Sequence, residues 1–266
     1  MLIISLANQK GGVGKTTTTA NLAACLARAG RRVLAIDMDA QGHLTQIFGL
    51  NPDELEESIY HVLTKTPNFD IRQVIMKIAP GLDLAPSNVD MASLDYDLAG
   101  QPAYDIRLRR ALRQVETAYD YVLIDCPPNL GTASINAFSA SSVMLVCVQT
   151  RVFSLRAVKK LLETVERITE LHDIDIIPYA VPTLFRKRVN VHQAVLDKIR
   201  EYFEPRYFPP IHENTKIEEA VLANKTVIEY DATSSGAFDY TKLAREVINE
   251  FEKETSEQLI GSRSRK

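Results

Sequence analysis

The chain has 266 residues, 45% of them hydrophobic and 24% charged, with a net charge of −3. These values suit a soluble globular protein built around one large α/β domain, and they exclude a polycation, so any contact with nucleic acid must come from a local basic patch. The three cysteines, Cys25, Cys126 and Cys147, contain no C-x-x-C pair, which argues against a disulfide framework, a zinc site or an iron–sulfur site and for a reducing compartment.

Taken in chain order, the start MLIISLANQKGG has a short apolar run without a basic flank, so no signal peptide is expected. No apolar run approaches the roughly 18 residues of a membrane span. Residues 2–7 (LIISLA) precede glycines and read as a buried strand, and 15–29 read as a helix ended by Gly30. Residues 33–37 (VLAID), 121–126 (YVLIDC) and 143–148 (VMLVCV) are further apolar runs rich in β-branched residues, as parallel strands covered on both faces require. The stretch 51–101 is less regular and predicts short helices and one strand, in LDLAPS. Amphipathic helices are expected at 104–117, 155–171, 191–203 and 238–253. Strand–helix alternation predicts a single-domain α/β fold: a doubly wound, mostly parallel sheet with helices on both faces. It would occupy 1–256, and 257–266, ending in IGSRSRK, reads as a disordered tail.

The stretch NQKGGVGKTTTT, 8–19, lies between the first strand and the first helix. The phosphate-loop pattern G-x-x-x-x-G-K-[ST] fits at Gly14-Lys15-Thr16, but its first glycine would fall at Gln9, beside a second lysine, Lys10. Backbone amides at a helix N-terminus attract phosphate. Gly11, Gly12 and Gly14 let the backbone come close with no Cβ in the way. Lys15 would neutralise the β- and γ-phosphates, Thr16 would give its hydroxyl to Mg²⁺, and Thr17 would donate to the α-phosphate. Val13 completes the cradle. The competing reading is a glycine-rich turn that binds nothing. Against it stand a strand, glycines, G-K-T and a helix, all in order.

Two further segments fill out a nucleotide site. YVLIDCPP is an apolar strand ending in Asp125, the form of a carboxylate that holds Mg²⁺ through water. Cys126 follows, where many phosphate-loop ATPases place a catalytic glutamate, so the residue orienting the attacking water must come from elsewhere. AIDMDAQG offers it: Asp37 and Asp39 lie at the C-terminal end of the second strand, where ligands bind in open α/β sheets. Asp39 is assigned to the water and Asp37 to the metal. Read alone, the two acids also fit a solvated loop, but less well once Asp125 and the phosphate loop stand beside them.

Together, KGGVGKTTTTANLAACLA, VLAIDMDAQG and IDCPPNLGTASINAFSAS resemble the ParA/Soj-type partition ATPases, the deviant Walker A group that also holds MinD and the nitrogenase iron protein. The resemblance runs from Leu2 to about Val247. It implies that Lys10 reaches across an ATP-bound homodimer to the partner's phosphates, and that Gly11 and Gly12 let the two loops approach. It also implies that Lys15, Thr16 and Thr17 hold phosphate and Mg²⁺, that Asp39 serves hydrolysis, and that Asp125 belongs to the switch. The cysteines do not suit the iron-protein branch. The acidic end EVINEFEKETSEQLIGSRSRK lacks the basic amphipathic pattern of a MinD-like membrane helix, so no membrane is expected. The phosphate loop begins near residue 8, which leaves no room for an operator-reading helix-turn-helix ahead of it.

The resemblance thus implies a cytoplasmic, nucleoid-associated ATPase that binds DNA non-specifically and moves plasmid or chromosome with a ParB-like adaptor. Its hydrolysis would be slow and partner-stimulated. A related ATPase positioning another cargo (a protein compartment, a chemosensory or flagellar assembly) shares all this chemistry, and a membrane-bound positioning ATPase is a third possibility. The DNA contact is assigned to Arg186, Lys187 and Arg188, at a strand-to-helix junction, and to Lys216. An ordinary solvated basic turn is the alternative there. Where relatives commonly read I-P-R-N, this chain reads IHEN at 211–214. Asn214 is assigned to the nucleotide, His212 and Glu213 depart from the pattern, and Glu213 is expected to weaken DNA binding. His43, His61, His172 and His192 show no metal spacing.

Overall fold

This computed structural model describes residues 1–263, with side chains through Glu252. The chain runs β1 (Leu2–Ala7), α1 (Lys15–Arg28), β2 (Val33–Asp37), α2 (His43–Ile47), α3 (Ile59–Lys65), β3 (Met76–Ala79) and β4 (Leu82–Ala85). It continues through α4 (Leu94–Asp97), α5 (Arg107–Leu112), β5 (Tyr121–Asp125), α6 (Thr132–Ala140), β6 (Val143–Gln149), α7 (Ser154–His172) and β7 (Ile177–Thr183). Then follow α8 (Asn190–Phe203), α9 (Thr215–Leu222), α10 (Val227–Tyr230) and α11 (Ser235–Arg263). The strands form one sheet in the order β3-β4-β2-β5-β1-β6-β7, parallel throughout except for the β3–β4 pair. This is the doubly wound α/β architecture that the alternation predicts.

The apolar runs become strands because both of their faces are covered. On β5, Tyr121 and Leu123 join a core with Leu22 and Leu26 of α1 and Tyr240 and Leu243 of α11. Val122 and Ile124 join the opposite core, with Leu108 of α5, Phe138 of α6, Leu161 of α7 and Ile199 of α8. The period of two thus divides one strand between two helical layers. Helix α1 ends at Gly30 (φ 82°), where the Gly30 N–H donates to Ala27 O and the Arg31 N–H to Leu26 O.

Four expectations are corrected. The helix expected at 104–117 is only α5, followed by a 3₁₀ turn at Arg113–Val115. The Asn136 side chain causes the late start: it donates to Tyr104 O and accepts from the Leu108 N–H, a cap supplied from α6. The strand read to 126 stops at Asp125. The stretch 51–101 holds a hairpin rather than one strand; β3 is only four residues long and largely exposed, so it lacks the long apolar run of the buried strands. The last helix begins at Ser235 rather than 238, and its backbone runs to Arg263; 264–266 lie outside the described residues.

Strand β7 contains Pro178 and Pro182, which disguise it in the sequence. Ile177 N–H donates inward to Ser142 O, whereas Ala180 N–H donates outward to Arg206 O. By the same alternation both prolines lie where an N–H would point away from β6, so neither costs a ladder bond.

Leu161 is fully buried on α7. Leu161→Ala is expected to lower the unfolding free energy by about 2–5 kcal/mol, read as a fall in the urea midpoint at unchanged slope.

Candidate active site

The site lies at the C-terminal ends of β1, β2 and β5, the position where open α/β sheets bind ligands. The loop from Asn8 to Gly14 leaves the central strand and is braced from β6 and β7. Asn8 Nδ2 donates to Cys147 O at 2.7 Å, and Asn8 Oδ1 accepts from the Lys10 N–H at 3.0 Å. Thr183 Oγ1 donates to Val13 O at 2.8 Å. Gln149 bridges the tip: its Nε2 donates to Gly12 O at 2.6 Å and its Oε1 accepts from Lys10 Nζ at 3.0 Å. Gly12 (φ 68°) and Gly14 (φ 84°) take the left-handed conformation that the tight loop needs. A Cβ on Gly11 or Gly12 would meet nothing within 4 Å, so the tip faces open space.

Gly14 caps α1 with no side-chain hydrogen bond. The first helical hydrogen bond is Thr18 N–H to Gly14 O, so the amides of Lys15, Thr16 and Thr17 have no acceptor among the described residues. This turn is ready to bind an anion. Lys15 is buried, while Thr16 and Thr17 are half-exposed.

Asp125 ties the phosphate loop to β5. Thr16 Oγ1 donates to its Oδ2 at 2.7 Å and Thr19 Oγ1 to its Oδ1 at 3.2 Å. Asp37 is its register partner across the β2–β5 pair, and both carboxylates are buried. Asp37 is held by its own loop: Thr45 N–H and Oγ1 donate to Oδ2 at 2.9 and 2.8 Å, and Asp39 N–H donates to Oδ1 at 3.1 Å. Burial pushes the Asp125 carboxyl well above the usual carboxylate range, with the Asp37 charge adding to the shift and Thr16, Lys15 and Thr19 opposing it. Burial likewise raises Asp37, against its hydrogen bonds from Thr45 and Asp39. Two buried acids side by side call for a cation. No group of three or more His, Cys, Asp or Glu that could hold a metal occurs among the described residues. Two carboxylates with the Thr16 hydroxyl beside them are a hard oxygen donor set that fits Mg²⁺, which takes one or two protein carboxylates and completes its shell with phosphate and water.

Asp39 is half-exposed just beyond β2. Its Oδ1 accepts from the Gln41 N–H at 3.0 Å, and its backbone O accepts from Ser87 Oγ at 2.7 Å. It lines a cleft of about 390 Å³ together with Pro127, Pro128 and Asn129 of the segment after Asp125. Across that cleft Asp95 accepts from the Thr132 N–H at 2.7 Å, and a Cβ on Gly131 would collide with its carboxylate at 2.7 Å. Cys126 is buried, its thiol pushed far up by burial, as suits a packing residue.

On the other side of the loop a chamber of about 440 Å³ extends from Gly12, Gly14 and Thr17 to Ile211, His212, Asn214 and Ile217. Ile211 N–H donates to Pro182 O, Phe185 N–H to Ile211 O and Glu213 N–H to Phe185 O, so the IHEN segment is stitched along the continuation of β7. Asn214 caps α9: its Oδ1 accepts from the Lys216 N–H at 2.8 Å and its Nδ2 donates to Ser235 Oγ at 2.6 Å. A Cβ on Gly236 would meet Ile217 at 2.7 Å, so glycine lets α11 close this wall.

The basic residues separate into two kinds. Arg186 is paired with Glu213 through two hydrogen bonds, and Lys216 bonds Glu219 at 2.7 Å. Lys187 and Arg188 are exposed on the same turn, with no ion pair among the described residues. Buried His192 anchors that turn, its Nδ1 accepting from the Arg186 N–H at 3.2 Å. The sequence gives no sign of Asn8, Thr19, Gln149 or Thr183 as site residues. The available signal for Gln149 is its place at the C-terminal end of an apolar run that becomes a neighbour of β1.

The raised carboxyls make the nucleotide-free protein sensitive to alkali. The folded state holds protons that the unfolded chain releases at ordinary carboxylate values, so this contribution is present at acidic pH and is lost as pH rises through the raised values. In EDTA, Asp125→Asn is expected to melt about 2–4 °C above wild type at about pH 9, with the gap closing toward pH 5 in a thermal-shift series. A gap that does not change with pH would contradict the like-charge account.

The family model described as an AAA domain matches residues 1–176. The sporulation initiation inhibitor protein Soj of Bacillus subtilis is 37% identical over 248 residues, 92% of this chain and 97% of Soj. Chromosome partitioning protein ParA of Caulobacter vibrioides (strain NA1000 / CB15N) is 36% identical over 252 residues, 93% of this chain and 94% of ParA. Among solved structures, cobyrinic acid a,c-diamide synthase from Mycobacterium smegmatis with bound ADP and magnesium superposes with a TM-score of 0.82 at 30% identity, over 95% of this chain and 96% of that one. A plasmid partition protein from Borrelia burgdorferi superposes with a TM-score of 0.71 at 25% identity, over 86% of this chain and 97% of that one. Likeness of this extent along nearly the whole length, with the phosphate loop and both carboxylates in place, means that the chain belongs to the AAA domain family, among the ParA/Soj-type partition ATPases.

Proposed function

We propose that this protein is an ATP-driven homodimeric switch that binds DNA without sequence preference and partitions plasmid or chromosomal DNA with a ParB-like adaptor. The observation that carries this reading is the Thr16–Asp125 hydrogen bond, which joins the phosphate loop to a buried carboxylate pair in need of a cation. Mg²⁺, when bound with ATP, would supply positive charge against the phosphates. Thr16 would hold the metal directly, and Asp125 would hold it through water, with Asp37 behind. Lys15 and the free amides of the first α1 turn would take the phosphates, and Thr17 the α-phosphate. Lys10, Gly11, Gly12, Val13 and Gly14 form the cradle, and the chamber reaching to Asn214 takes the nucleoside.

Hydrolysis needs a group that orients water without becoming part of the phosphate cradle. The reading of Asp39 as that group is supported by its half-exposed position on a cleft that also contains the segment after Asp125. The open tip at Gly11 and Gly12 leaves room for a second copy, whose Lys10 would reach the phosphates from across the interface. Each Lys10 must first leave its own Gln149. An adaptor that tightens this arrangement would speed an otherwise slow reaction.

DNA contact would centre on Lys187 and Arg188. Arg186 and Lys216 join when they exchange Glu213 and Glu219 for phosphate, an exchange that exposed pairs allow because they hold weakly. Dimerisation doubles the patch and ties DNA affinity to ATP, which fits a cytoplasmic protein that spends its ATP-bound life on the nucleoid.

The test is DNA binding with ATP, ADP and no nucleotide across a salt series. Binding is expected with ATP alone, falling steeply with salt. Arg188→Glu should abolish it while dimerisation persists on a sizing column; unchanged DNA affinity at low salt would overturn the patch. Asp39→Ala is expected to bind ATP, dimerise and fail to turn over. Turnover at the wild-type rate would assign the water to another residue.

A further inference from the structure

The chamber beside the phosphate loop holds a polar group that none of the roles above employs. Most of its wall is apolar, including Leu184, Ile211, Ile217 and Val221, as suits the faces of a planar base. Its polar side chains are largely committed elsewhere. Both ends of the Asn214 carboxamide are engaged, with Lys216 N–H and Ser235 Oγ. Thr183 donates to Val13 O, and the Tyr240 hydroxyl lies 3.4 Å from Thr18 Oγ1. Glu218 is exposed on α9.

His212 differs from these. Its backbone N–H and its Nδ1 both lie 2.9 Å from Asp239 Oδ2. Asp239 is anchored on α11 with its side chain only 10% exposed, and the Phe185 ring packs 5.3 Å from the imidazole. When the ring carries one proton, the carboxylate beside Nδ1 places it there and leaves the lone pair on Nε2. Nε2 has no hydrogen-bond partner among the described residues. His212 thus brings an unpaired ring nitrogen to a chamber whose wall is mostly apolar.

We propose that His212, oriented by Asp239, selects the purine by accepting a hydrogen bond from its 6-amino group. Adenine offers an N–H at that position, whereas hypoxanthine and guanine offer a carbonyl oxygen whose lone pair would face that of Nε2. A wall built to bond one group rejects an analogue that lacks it more strongly than an apolar wall would. The inference rests on the ATP reading of the site above.

Calorimetry with Mg²⁺ and three triphosphates isolates the contact: ATP, inosine triphosphate, and purine riboside triphosphate, which bears hydrogen at C6. The full-length wild type is expected to prefer ATP to inosine triphosphate by about tenfold or more, with the 6-hydrogen analogue between them. In His212→Phe, ATP should fall to the level of the 6-hydrogen analogue, whose own affinity stays unchanged and reports an intact fold. His212→Gln, whose amide turns to offer either an acceptor or a donor, should bind ATP and inosine triphosphate alike. A wild-type ATP-to-inosine ratio in His212→Phe would overturn the proposal, as would an equal loss of all three ligands. Failure of the wild type to bind any of them would overturn the nucleotide reading itself, and this contact with it.

Discussion

Two carboxylates lie side by side at the ends of neighbouring parallel strands, and much of this site answers to that constraint. Asp37 and Asp125 are register partners, fully enclosed, in surroundings where like charges repel far more strongly than in water. The chain satisfies them separately. Asp37 is bonded by the loop that follows it, through Thr45 and Asp39. Asp125 is bonded by the first helix, through Thr16 and Thr19. One acid thereby orders the segment that presents Asp39, while the other pins the phosphate loop to the sheet. Both hydroxyls that quiet Asp125 come from the helix that the phosphate loop opens.

The central place of β1 gives the loop after it supports on several sides. Asn8 and Gln149 reach between the loop and β6, and Thr183 reaches from β7. The bracing is made by side chains at strand ends, so the loop can be rigid at its base while its tip stays bare. Lys10 shows the division: its backbone is bonded to Asn8 and its ammonium rests on Gln149, yet the residue is exposed. Beside the apolar chamber, the IHEN segment borrows its geometry from β7 through backbone bonds. That borrowing is why His212 and Glu213 face different tasks although they are adjacent.

The parts of this protein that were legible in sequence are those written in local pattern. The buried parallel strands announce themselves as apolar runs, α1 by alanine and leucine between a glycine-rich loop and Gly30, and the phosphate loop by its G-K-T. What stayed hidden depends on partners distant in the chain. Asn136 decides where α5 begins by bonding Leu108, 28 residues before it in the chain. Strand β3 is nearly bare and β7 is interrupted by prolines that only an edge tolerates. Gln149 looks like the last letter of an apolar run until the sheet order brings it beside the loop. Glu213 reads in sequence as an acid spoiling a basic patch; in space it is the specific partner of Arg186.

The two edges of the sheet bear on how copies of the chain can meet. On one side the segment 206–212 clips onto β7, whose prolines have already removed outward donors. On the other, β3 breaks its register between Lys77 and Ala79 and carries a charge at its margin. Neither edge offers the flat, unpaired ladder on which a second chain could continue the sheet. Backbone-to-backbone growth, the route to irreversible stacking, is disfavoured at both ends. Association is left to loop tips and side chains, which can be made and unmade.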